Sequence, residues 1–372
     1  LMDSSEVVIS PNAPTVVSLA LSPSELNLEP GGTQKLAVTG KMSDGTTAPV
    51  PVSWTASGGE VDTANVYAAG TESGTYRIIA KQLNGALADT SAVTIAATTP
   101  PPDGGDTPGG GGTPTGDYYV ATSGSDGNPG TSAAPVKTIQ KAANVAGPGD
   151  TVIVRDGTYT GGSSGGNLVS LSRSGTSAAW ITFLAERKWG AVLDGRNNYN
   201  QTGVNFGSGV SYVRVEGFEI RGFQGYGFVL YGGGHDLAVV RNHVHTIGRY
   251  CTDTHNGRTG VSIGDGTRGV LFEGNVWHDI GRFADGENGC NTNDYYQNHD
   301  HGIYVADADA ITIRNNVFYN LKRGWAIQRY NTDGYRTSGL AILNNTFAGE
   351  NPYREGQFIL ATATSGIRIE NN

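Results

Sequence analysis

Apolar and polar residues alternate in short runs along most of the chain, which predicts β-strands rather than helices. Residues 14–97 contain the runs VVSLAL, QKLAVTG, VSWTAS, TYRIIA and SAVTIA, separated by the turn-forming clusters EPGG, SDGTT and SGG. Successive side chains of a strand point to opposite faces, so each run can bury one face. Short strands with turns at a spacing of about ten residues predict a β-sandwich.

Residues 98–117, TTPPPDGGDTPGGGGTPTGD, interrupt this pattern with a stretch of mostly Pro, Gly, Thr and Asp. Such a composition cannot bury a core and predicts an extended or flexible linker. We therefore predict an N-terminal segment at 1–13, a sandwich at 14–97, the linker, and a second β domain at 118–372.

One phrase recurs in the second domain, an apolar strand followed by two asparagines. It reads ITIRNN at 311–316, LAILNN at 340–345 and IRIENN at 367–372. Asparagine tolerates left-handed backbone angles, and its side chain can form hydrogen bonds along a stack. The repeat predicts stacked coils with an asparagine ladder at one turn. The predicted columns are Gly217, Asn242, Gly274, Asn315, Asn344 and Asn371, followed by Phe218, His243, Asn275, Asn316, Asn345 and Asn372.

The strands around this turn predict which side chains face inwards. In the strand before the ladder, the predicted inward column is Val215, Val240, Phe272, Ile313, Ile342 and Ile369. The predicted outward column, one residue later, is Glu216, Arg241, Glu273, Arg314, Leu343 and Glu370. A second strand of each coil has Phe228, Val261, Ile303, Ile327 and Phe358 inside, and Val229, Ser262, Tyr304, Gln328 and Ile359 outside. Small residues open these second strands, which predicts a shallow groove for a sugar chain: Gly227, Gly260, Gly302 and Ala326.

The beginning of the second domain resembles a known fold. In YYVATSGSDGNPGTSAAPVKTIQKAANVAGPGDTVIVRDGTY (118–159), Ile139, Ala142, Ala143 and Ala146 have helical spacing, and Pro135 suits an early helix position. With LSRSGTSAAWITFLAERKWGAVLDGR (171–196), this wording resembles right-handed parallel β-helix proteins of the pectin lyase-like class, nearest to polysaccharide lyase family nine. The resemblance covers 118–372 and implies that a short helix caps the first coil.

The first domain has a resemblance of its own. Its order, LSPSELNLEPGGTQKLAVTGKMSDGT, then VSWTAS and AAGTESGTYRIIA, is similar to bacterial immunoglobulin-like modules of group 2. Together the two resemblances imply an all-β protein, an immunoglobulin-like sandwich followed by a right-handed parallel β-helix. They also imply an extracellular or cell-surface protein of a bacterium.

The composition of the chain restricts its possible binding partners. The net charge of −9 argues against nucleic acid, and the chain has no run of 18 apolar residues that could span a membrane. Gly is abundant, at 56 of 372 residues, which suits many short strands and turns.

Two coils carry long insertions, RYCTDTHNGRT (249–259) and RFADGENGCNTNDYYQNHD (282–300). They leave equivalent corners of successive coils, and each holds one of the two cysteines of the chain, Cys251 and Cys290. Equivalent loops on adjacent coils, with no other partner available, predict a disulfide between these two cysteines, which suits an extracellular setting; two isolated thiols are the alternative.

Long loops on a rigid scaffold often carry functional sites, and this corner gathers titratable and aromatic residues. An acidic sugar needs a cation to neutralise its carboxylate and a base to remove the C5 proton. The catalytic candidates are His301, Tyr304, Arg329 and Lys322. The substrate-binding candidates are His255, Arg258, Tyr295, Tyr296 and Gln328. The metal-binding candidates are Asp285, Glu287, Asp294 and Asp300. Such residues also occur on surface loops that have no catalytic role.

Family motifs discriminate among the enzymes of this fold. Polygalacturonases carry Asn-Thr-Asp, Asp-Asp, Gly-His-Gly and Arg-Ile-Lys in order, whereas this chain has NTD at 331–333 without GHG or RIK after it. Alginate epimerases carry Asp-x-His, whereas His301 directly follows Asp300 here. Resemblance to family nine implies a lysine base, for which Lys322 is the candidate, and a calcium (Ca2+) site. The run DADA at 307–310 is too sparse for that calcium cluster.

Two functions therefore remain open. One is a lyase acting on an acidic polysaccharide, and the other is a non-catalytic adhesin or extracellular filament subunit that uses the β-helix as a rigid rod. Residues 367–372 read as the first strand of another coil, so we expect further coils beyond 372 or a second subunit covering this end. In the second case, EVVIS at 6–10 is a candidate strand for self-association.

Overall fold

The computed structural model describes residues 14–28, 32–70, 74–95, 115–251, 256–283, 286–290, 299–330, 337–349, 351, 356, 358–362 and 364–372. The predicted N-terminal segment, with the EVVIS run, and most of the predicted linker lie outside these residues. The chain divides into two compact units, one up to Thr99 and the other from Pro100 onwards.

The first unit consists of short, mainly antiparallel strands, as the alternation predicts. Its four-stranded sheet pairs Ala88–Ile95 in parallel with Glu25–Leu28 and antiparallel with Gly74–Gln82. Its sheets are, in order of pairing, Val16–Ser22, Ala37–Met42 and Thr47–Pro49; then Glu25–Leu28, Ala88–Ile95, Gly74–Gln82 and Val52–Ser57; then Thr33–Lys35, Val66–Ala69 and Gly59–Val61. Tyr67, Ile78 and Val93 are fully buried in one apolar core. These features are consistent with a sandwich.

The second unit is a parallel β-helix built from three sheets. The first sheet contains Tyr118–Val120, Thr151–Val154, Ile181–Ala185, Ser211–Glu216, His235–Val240, Arg268–Glu273, Asp309–Arg314, Leu340–Leu343 and Arg368–Glu370. The second contains Gly157–Tyr159, Ala191–Asp194, Glu219–Arg221, His243–Ile247, Val276–Ile280, Val317–Tyr319 and Thr346–Ala348. The third contains Asn167–Leu171, Thr202–Phe206, Tyr226–Leu230, Arg258–Ile263, Asp300–Ala306, Ile327–Tyr330 and Ile359–Ala361. Thr337–Ser338 and Thr364–Ser365 form a short additional pair.

Each complete coil supplies one strand to each sheet, and the described residues contain seven such coils. Strands pair in parallel with those of the next coil, and side chains from all three sheets fill one continuous apolar core. The prediction of stacked coils is confirmed.

A helix from Ile139 to Val145 lies at the start of the β-helix, as predicted. The Oγ1 atom of Thr138 accepts a hydrogen bond from the Lys141 backbone nitrogen and caps the first turn. Ile139, Ala142 and Ala143 are buried in the core of the first coils. Pro135 precedes the helix instead of opening it.

The predicted asparagine ladder exists. In four successive steps, the side-chain oxygen of one asparagine accepts a hydrogen bond from the backbone nitrogen of the residue one coil earlier, at 2.9–3.0 Å. The members are Asn242, Asn275, Asn316, Asn345 and Asn372. These amides satisfy backbone groups of a turn that would otherwise be buried without partners.

The predicted columns were wrong by one residue in the coil that contains His235–Val240. Val239, rather than Val240, pairs with Val215 and Phe272. Arg241 occupies the left-handed position, with φ 53°, and Asn242 is the ladder residue. The left-handed position accepts more than one residue type, whereas the ladder position holds a buried amide from Asn242 to Asn345. The amide therefore determines the register.

The third sheet holds a second register error. Ile359, rather than Phe358, pairs with Ile327, and Leu360 pairs with Gln328. Phe358 precedes the strand, and its ring stacks on that of Phe347 with a centroid distance of 5.6 Å.

The small residues that open the third-sheet strands do not form the predicted outer groove. A Cβ atom added to Gly260 would lie 2.9 Å from Ile280 Cδ1 and from Trp277 Cε3, both in the core. Glycine is therefore needed at this position because large interior side chains of the second sheet approach its backbone.

Candidate functional site

A disulfide joins Cys251 to Cys290, with the two Cα atoms 5.4 Å apart, as predicted. The bond connects the insertions of two successive coils across a sequence separation of 39 residues. Cys290 is buried and Cys251 is exposed. The disulfide fixes one insertion to the other at the corner where the candidate residues were placed.

Three arginines from successive coils hold this corner together. Arg249 donates to the backbone oxygen of Gly281 at 3.2 Å, and its guanidinium lies 4.2 Å from the ring centroid of Phe283. Arg323 donates from Nε to the backbone oxygen of Phe283 at 2.9 Å. Arg282 is 1% exposed and donates to the backbone oxygen of Asn256. Each arginine thus bonds to the backbone of a neighbouring coil or insertion.

Asp300, a predicted metal ligand, is instead the partner of Arg282. Its side chain is fully buried and forms an ion pair with the Arg282 guanidinium. It also accepts hydrogen bonds from the backbone nitrogens of Arg258, at 3.0 Å, and Arg282, at 2.8 Å. Burial raises the pKa of the Asp300 carboxyl, and the charge of Arg282 opposes that shift. Both oxygens have donors, so the geometry favours a structural anchor over a metal ligand.

Glu287, a second predicted metal ligand, also pairs with cations. It lies 3.4 Å from Arg249 Nη2 and forms an ion pair with Lys322. The Lys322 side chain is 32% exposed. Lys322, the candidate base, and Glu287, a predicted metal ligand, are therefore paired with each other.

His301 lies in an aromatic cluster on the outer side of the third sheet. Its ring stacks on those of Tyr304 and Trp325, with centroid distances of 5.7 and 5.9 Å. Strict alternation would turn His301 inwards. However, Ile303 lies in the core and a Cβ atom on Gly302 would lie 3.3 Å from Phe318 Cδ1, so two successive residues face inwards and His301 stays outside.

The hydrogen bonding of His301 determines its neutral form. Its Nδ1 atom accepts a hydrogen bond from the backbone nitrogen of Trp325 at 3.2 Å. The neutral ring therefore carries its proton on Nε2 and offers a donor there. His301 is 2% exposed, so the cluster holds the ring rigidly.

Tyr304 is the partly exposed member of the cluster. Burial raises the pKa of its phenol to about 12, and nearby Tyr231 and Tyr330 act in the same direction. It lies between Ser262 and Gln328 on neighbouring strands, as predicted. The Tyr231 hydroxyl lies 3.0 Å from Ser262 Oγ, which extends this polar and aromatic face by one coil.

Arg329 does not share this outer face. It pairs with Val305 and Ala361, in a column that elsewhere holds Leu230 and Ile263, and it is 1% exposed. This position favours a structural role over the predicted catalytic one. Arg258 is 5% exposed, with its guanidinium 5.3 Å from the ring centroid of Tyr250. The remaining candidates lie outside the described residues: His255, Asp285, Asp294, Tyr295 and Tyr296.

A second cluster was not predicted. His243, His245 and His278 lie on the outer face of the second sheet, with their ring nitrogens within 4.8 Å of one another. Burial lowers the pKa of His243 to about 4, and His245 and His278 add to the shift. Burial also lowers the pKa of His245. The available signal was the His-x-His alternation at 243–245, with a third histidine at the matching position of the next coil.

The fold defines a β-helix protein of the polysaccharide lyase-like kind. Residues 118–367 match the family described as "Pel9A-like, right handed beta helix region", which is well over half of the chain. The chain belongs to this Pel9A-like family.

Two relatives match short stretches. The uncharacterized protein YwoF of Bacillus subtilis is 36% identical over 87 residues, which is 23% of this chain and 17% of YwoF. Pectate lyase PEL9 of Emericella nidulans is 37% identical over 79 residues, which is 21% of this chain and 18% of PEL9. The chain thus matches less than a fifth of the length of either relative.

Two solved structures align with part of this chain at low identity. Pectate lyase Pel9A aligns with 66% of this chain and 57% of its own, at 19% identity and a TM-score of 0.40. A rhamnogalacturonan lyase aligns with 67% of this chain and 86% of its own, at 15% identity and a TM-score of 0.35. Separately, no helix in the described part of the chain is long and apolar enough to cross a membrane.

Proposed function

We propose that this chain is a secreted or cell-surface polysaccharide lyase that acts on an acidic polysaccharide. Membership of the Pel9A-like family over 118–367 carries the proposal. The 79-residue likeness to a protein named pectate lyase supports the substrate class. The Cys251–Cys290 disulfide supports an oxidising, extracellular setting. The resemblance of the first unit to bacterial immunoglobulin-like modules favours the same location.

We place the reacting groups around Tyr304, on the outer face of the third sheet. In a β-elimination a base removes the C5 proton, the C4–C5 double bond forms, and the C4–O bond breaks as an acid protonates the leaving oxygen. Tyr304 is the candidate acid, because its phenol is protonated at neutral pH and it is the partly exposed member of the cluster. His301 stacks against the phenol and positions it. Gln328, on the adjacent strand, is a candidate donor to the sugar.

Lys322 is the candidate base. Its ammonium is paired with Glu287, so it must first lose both a proton and that contact before it can accept the C5 proton. The Lys322→Met variant tests this requirement directly.

The described residues do not fit a calcium site at this corner. Glu287 and Asp300 are engaged by Lys322, Arg249 and Arg282, and Ca2+ needs six to eight free oxygen ligands. Asp285 and Asp294 lie outside the described residues. The proposed mechanism therefore has no step that uses calcium, and the assay is run both with and without calcium.

The test is an assay of the tag-free chain on polygalacturonate, rhamnogalacturonan and alginate, with calcium or with a chelator. The signal is the ultraviolet absorbance of the unsaturated product. We expect Tyr304→Phe to lower kcat by at least about 100-fold, the usual scale of an acid-base group. Lys322→Met should do the same. Tyr199→Phe, which alters an exposed tyrosine of another coil, should retain wild-type activity.

Absence of product from every substrate would reject the lyase proposal. Full activity in Tyr304→Phe would instead reject the site while leaving the enzyme class intact. The second candidate is the non-catalytic adhesin or filament subunit, favoured by the ion pairs that engage Asp300, Glu287 and Lys322. Saturable binding of an acidic polysaccharide without any cleavage would support it.

A further inference from the structure

Three histidines form a compact cluster on the outer face of the second sheet, on strands of neighbouring coils. His243 and His245 are two residues apart, so both project from the same face of the strand His243–Ile247. His278 pairs directly with His245 in the next coil. His243 Nε2 lies 2.7 Å from His278 Nε2, and the rings of His245 and His278 stack with centroids 4.8 Å apart.

We propose that His243, His245 and His278 form a binding site for a divalent transition metal ion, with zinc as the expected ion. Imidazole nitrogen is a preferred ligand of zinc, and three histidines with an open fourth position make a known type of zinc site. Two ligands spaced i, i+2 on one strand and a third on the neighbouring strand converge without any loop rearrangement.

The spacing of the donors suits a single ion. With Zn–N bonds of about 2.0–2.1 Å in a tetrahedral arrangement, two ligating nitrogens lie about 3.3 Å apart. The donor atoms of the cluster lie within 4.8 Å of one another, and the closest pair is at 2.7 Å. Side-chain rotations that draw the widest pair together and separate the closest pair would bring all three nitrogens to one metal ion.

Neighbouring residues already orient His278 for this role. Its Nδ1 atom lies 2.7 Å from the Asp279 carboxylate, which places the ring proton on Nδ1 and leaves the lone pair of Nε2 facing the cluster. A carboxylate behind the ligating histidine is the usual outer partner in zinc sites, where it fixes the tautomer and raises ligand basicity. His245 Nε2 lies 3.3 Å from Glu219 and His245 Nδ1 lies 2.9 Å from Thr246 Oγ1, so His245 must exchange one of these two contacts for the ion.

The cluster is accessible to an ion from solution. The side chains of His245 and His278 are 16% and 13% exposed, so the rings are packed but reach solvent. The Trp189 ring packs at a tilt against His243 at a centroid distance of 4.7 Å, and Tyr319 stacks on His278 at 4.4 Å. The rings of Trp189 and Tyr319 flank the cluster and restrict how far the histidine rings can move when an ion binds.

The test measures zinc binding by the metal-free, tag-free full chain, using competition with a fluorescent zinc indicator. Cobalt serves as a spectroscopic probe, because its visible absorption reports the coordination geometry. We expect one zinc ion per chain, and an affinity at least about tenfold lower in His278→Gln and in Asp279→Asn.

The chain supplies a closely matched control. His235 Nδ1 also lies 2.7 Å from the carboxylate of the next residue, Asp236, but His235 belongs to the first sheet and has no histidine cluster around it among the described residues. His235→Gln should leave zinc affinity unchanged, and circular dichroism should show that all variants are folded. No saturable zinc binding, or equal affinity in the wild type and His278→Gln, would overturn the proposal. Neither outcome depends on lyase activity.

Discussion

The side-chain oxygen of Asn316 accepts hydrogen bonds from both the backbone nitrogen and the side-chain amide of Asn275, each at 2.9 Å, although 41 residues separate the two along the chain. Asn316 also donates to the backbone oxygen of Phe272 at 2.9 Å. One buried amide thus links successive coils and satisfies backbone groups on both sides. The ladder is therefore a structural element of the β-helix.

Replacing Asn316 with Ala should lower the free energy of unfolding of the β-helix by about 2–4 kcal/mol, because buried donors and acceptors lose their partner. Calorimetry of the full chain measures the effect on the β-helix transition. Asn315→Gly is the control, since it removes an exposed amide and keeps a residue that accepts the left-handed backbone. Equal losses in the two variants would contradict the ladder interpretation.

Arg241 tests the corrected register. With φ at 53°, a β-branched residue should be strained there, whereas glycine should not. Both Arg241→Val and Arg241→Gly lose the ion pair with Glu216, so their difference isolates the backbone. We expect the Gly variant to be more stable than the Val variant by about 1–2 kcal/mol in denaturant unfolding. A more stable Val variant would place residue 241 in an extended strand instead.

Much of the fold could be predicted from the sequence, because the coils repeat a local pattern. ITIRNN, LAILNN and IRIENN identify the inward column and the ladder in the later coils, where two asparagines occur together. The pattern failed in the coil where Arg241 precedes Asn242, because the left-handed position accepts residues other than asparagine. A single asparagine does not indicate which of the two positions it fills.

The site was less predictable, because its contacts depend on how the insertions fold. The sequence grouped Asp300 with other carboxylates, whereas the structure pairs it with Arg282. No local pattern distinguishes Arg282 from Arg258 or Arg323 as that partner. The histidine cluster was missed for a different reason. Its members occupy regular strands of two coils, while the candidate chemistry was sought in the loops.

The Cys251–Cys290 disulfide should stabilise the corner. Closing a loop of 39 residues corresponds to roughly 4 kcal/mol in the chain-entropy description. Replacing both cysteines with serine should therefore lower the melting temperature of the β-helix. Alkylation followed by mass spectrometry should find no free thiol in the unreduced protein and two after reduction under denaturing conditions. Two modified thiols without reductant would contradict the bond.

Asp300 should be needed for folding of the corner rather than for metal binding. Asp300→Ala leaves the Arg282 guanidinium buried without this carboxylate, and breaking a buried ion pair in this way costs about 3–5 kcal/mol. Glu273→Ala breaks the more exposed pair with Arg314 and should cost less than about 1 kcal/mol. Melting curves with calcium and with a chelator should coincide for the wild type. A calcium-dependent stabilisation that Asp300→Ala abolishes would restore the metal assignment.

Tyr304 should remain protonated well into the alkaline range. Its pKa is raised to about 12 by burial, against about 10 for an exposed tyrosine. At pH 10.5 an ordinary tyrosine is roughly three-quarters ionised, whereas Tyr304 should be only about 3% ionised. The ultraviolet phenolate absorbance of the wild type should therefore equal that of Tyr304→Phe at this pH, and a lower absorbance in the variant would contradict the raised pKa.

The raised pKa of Tyr304 also determines how the free energy of unfolding changes with pH. Below pH 10 both the folded and unfolded states keep the Tyr304 phenol protonated, so it adds no pH dependence. Between pH 10 and 12 the unfolded state loses the proton first, and the free energy of unfolding falls as the pH rises. The wild type should therefore lose stability relative to Tyr304→Phe across this range. If Tyr304 instead ionised near pH 10 in the folded chain, the stability difference would stay constant, which would contradict the buried environment of its phenol.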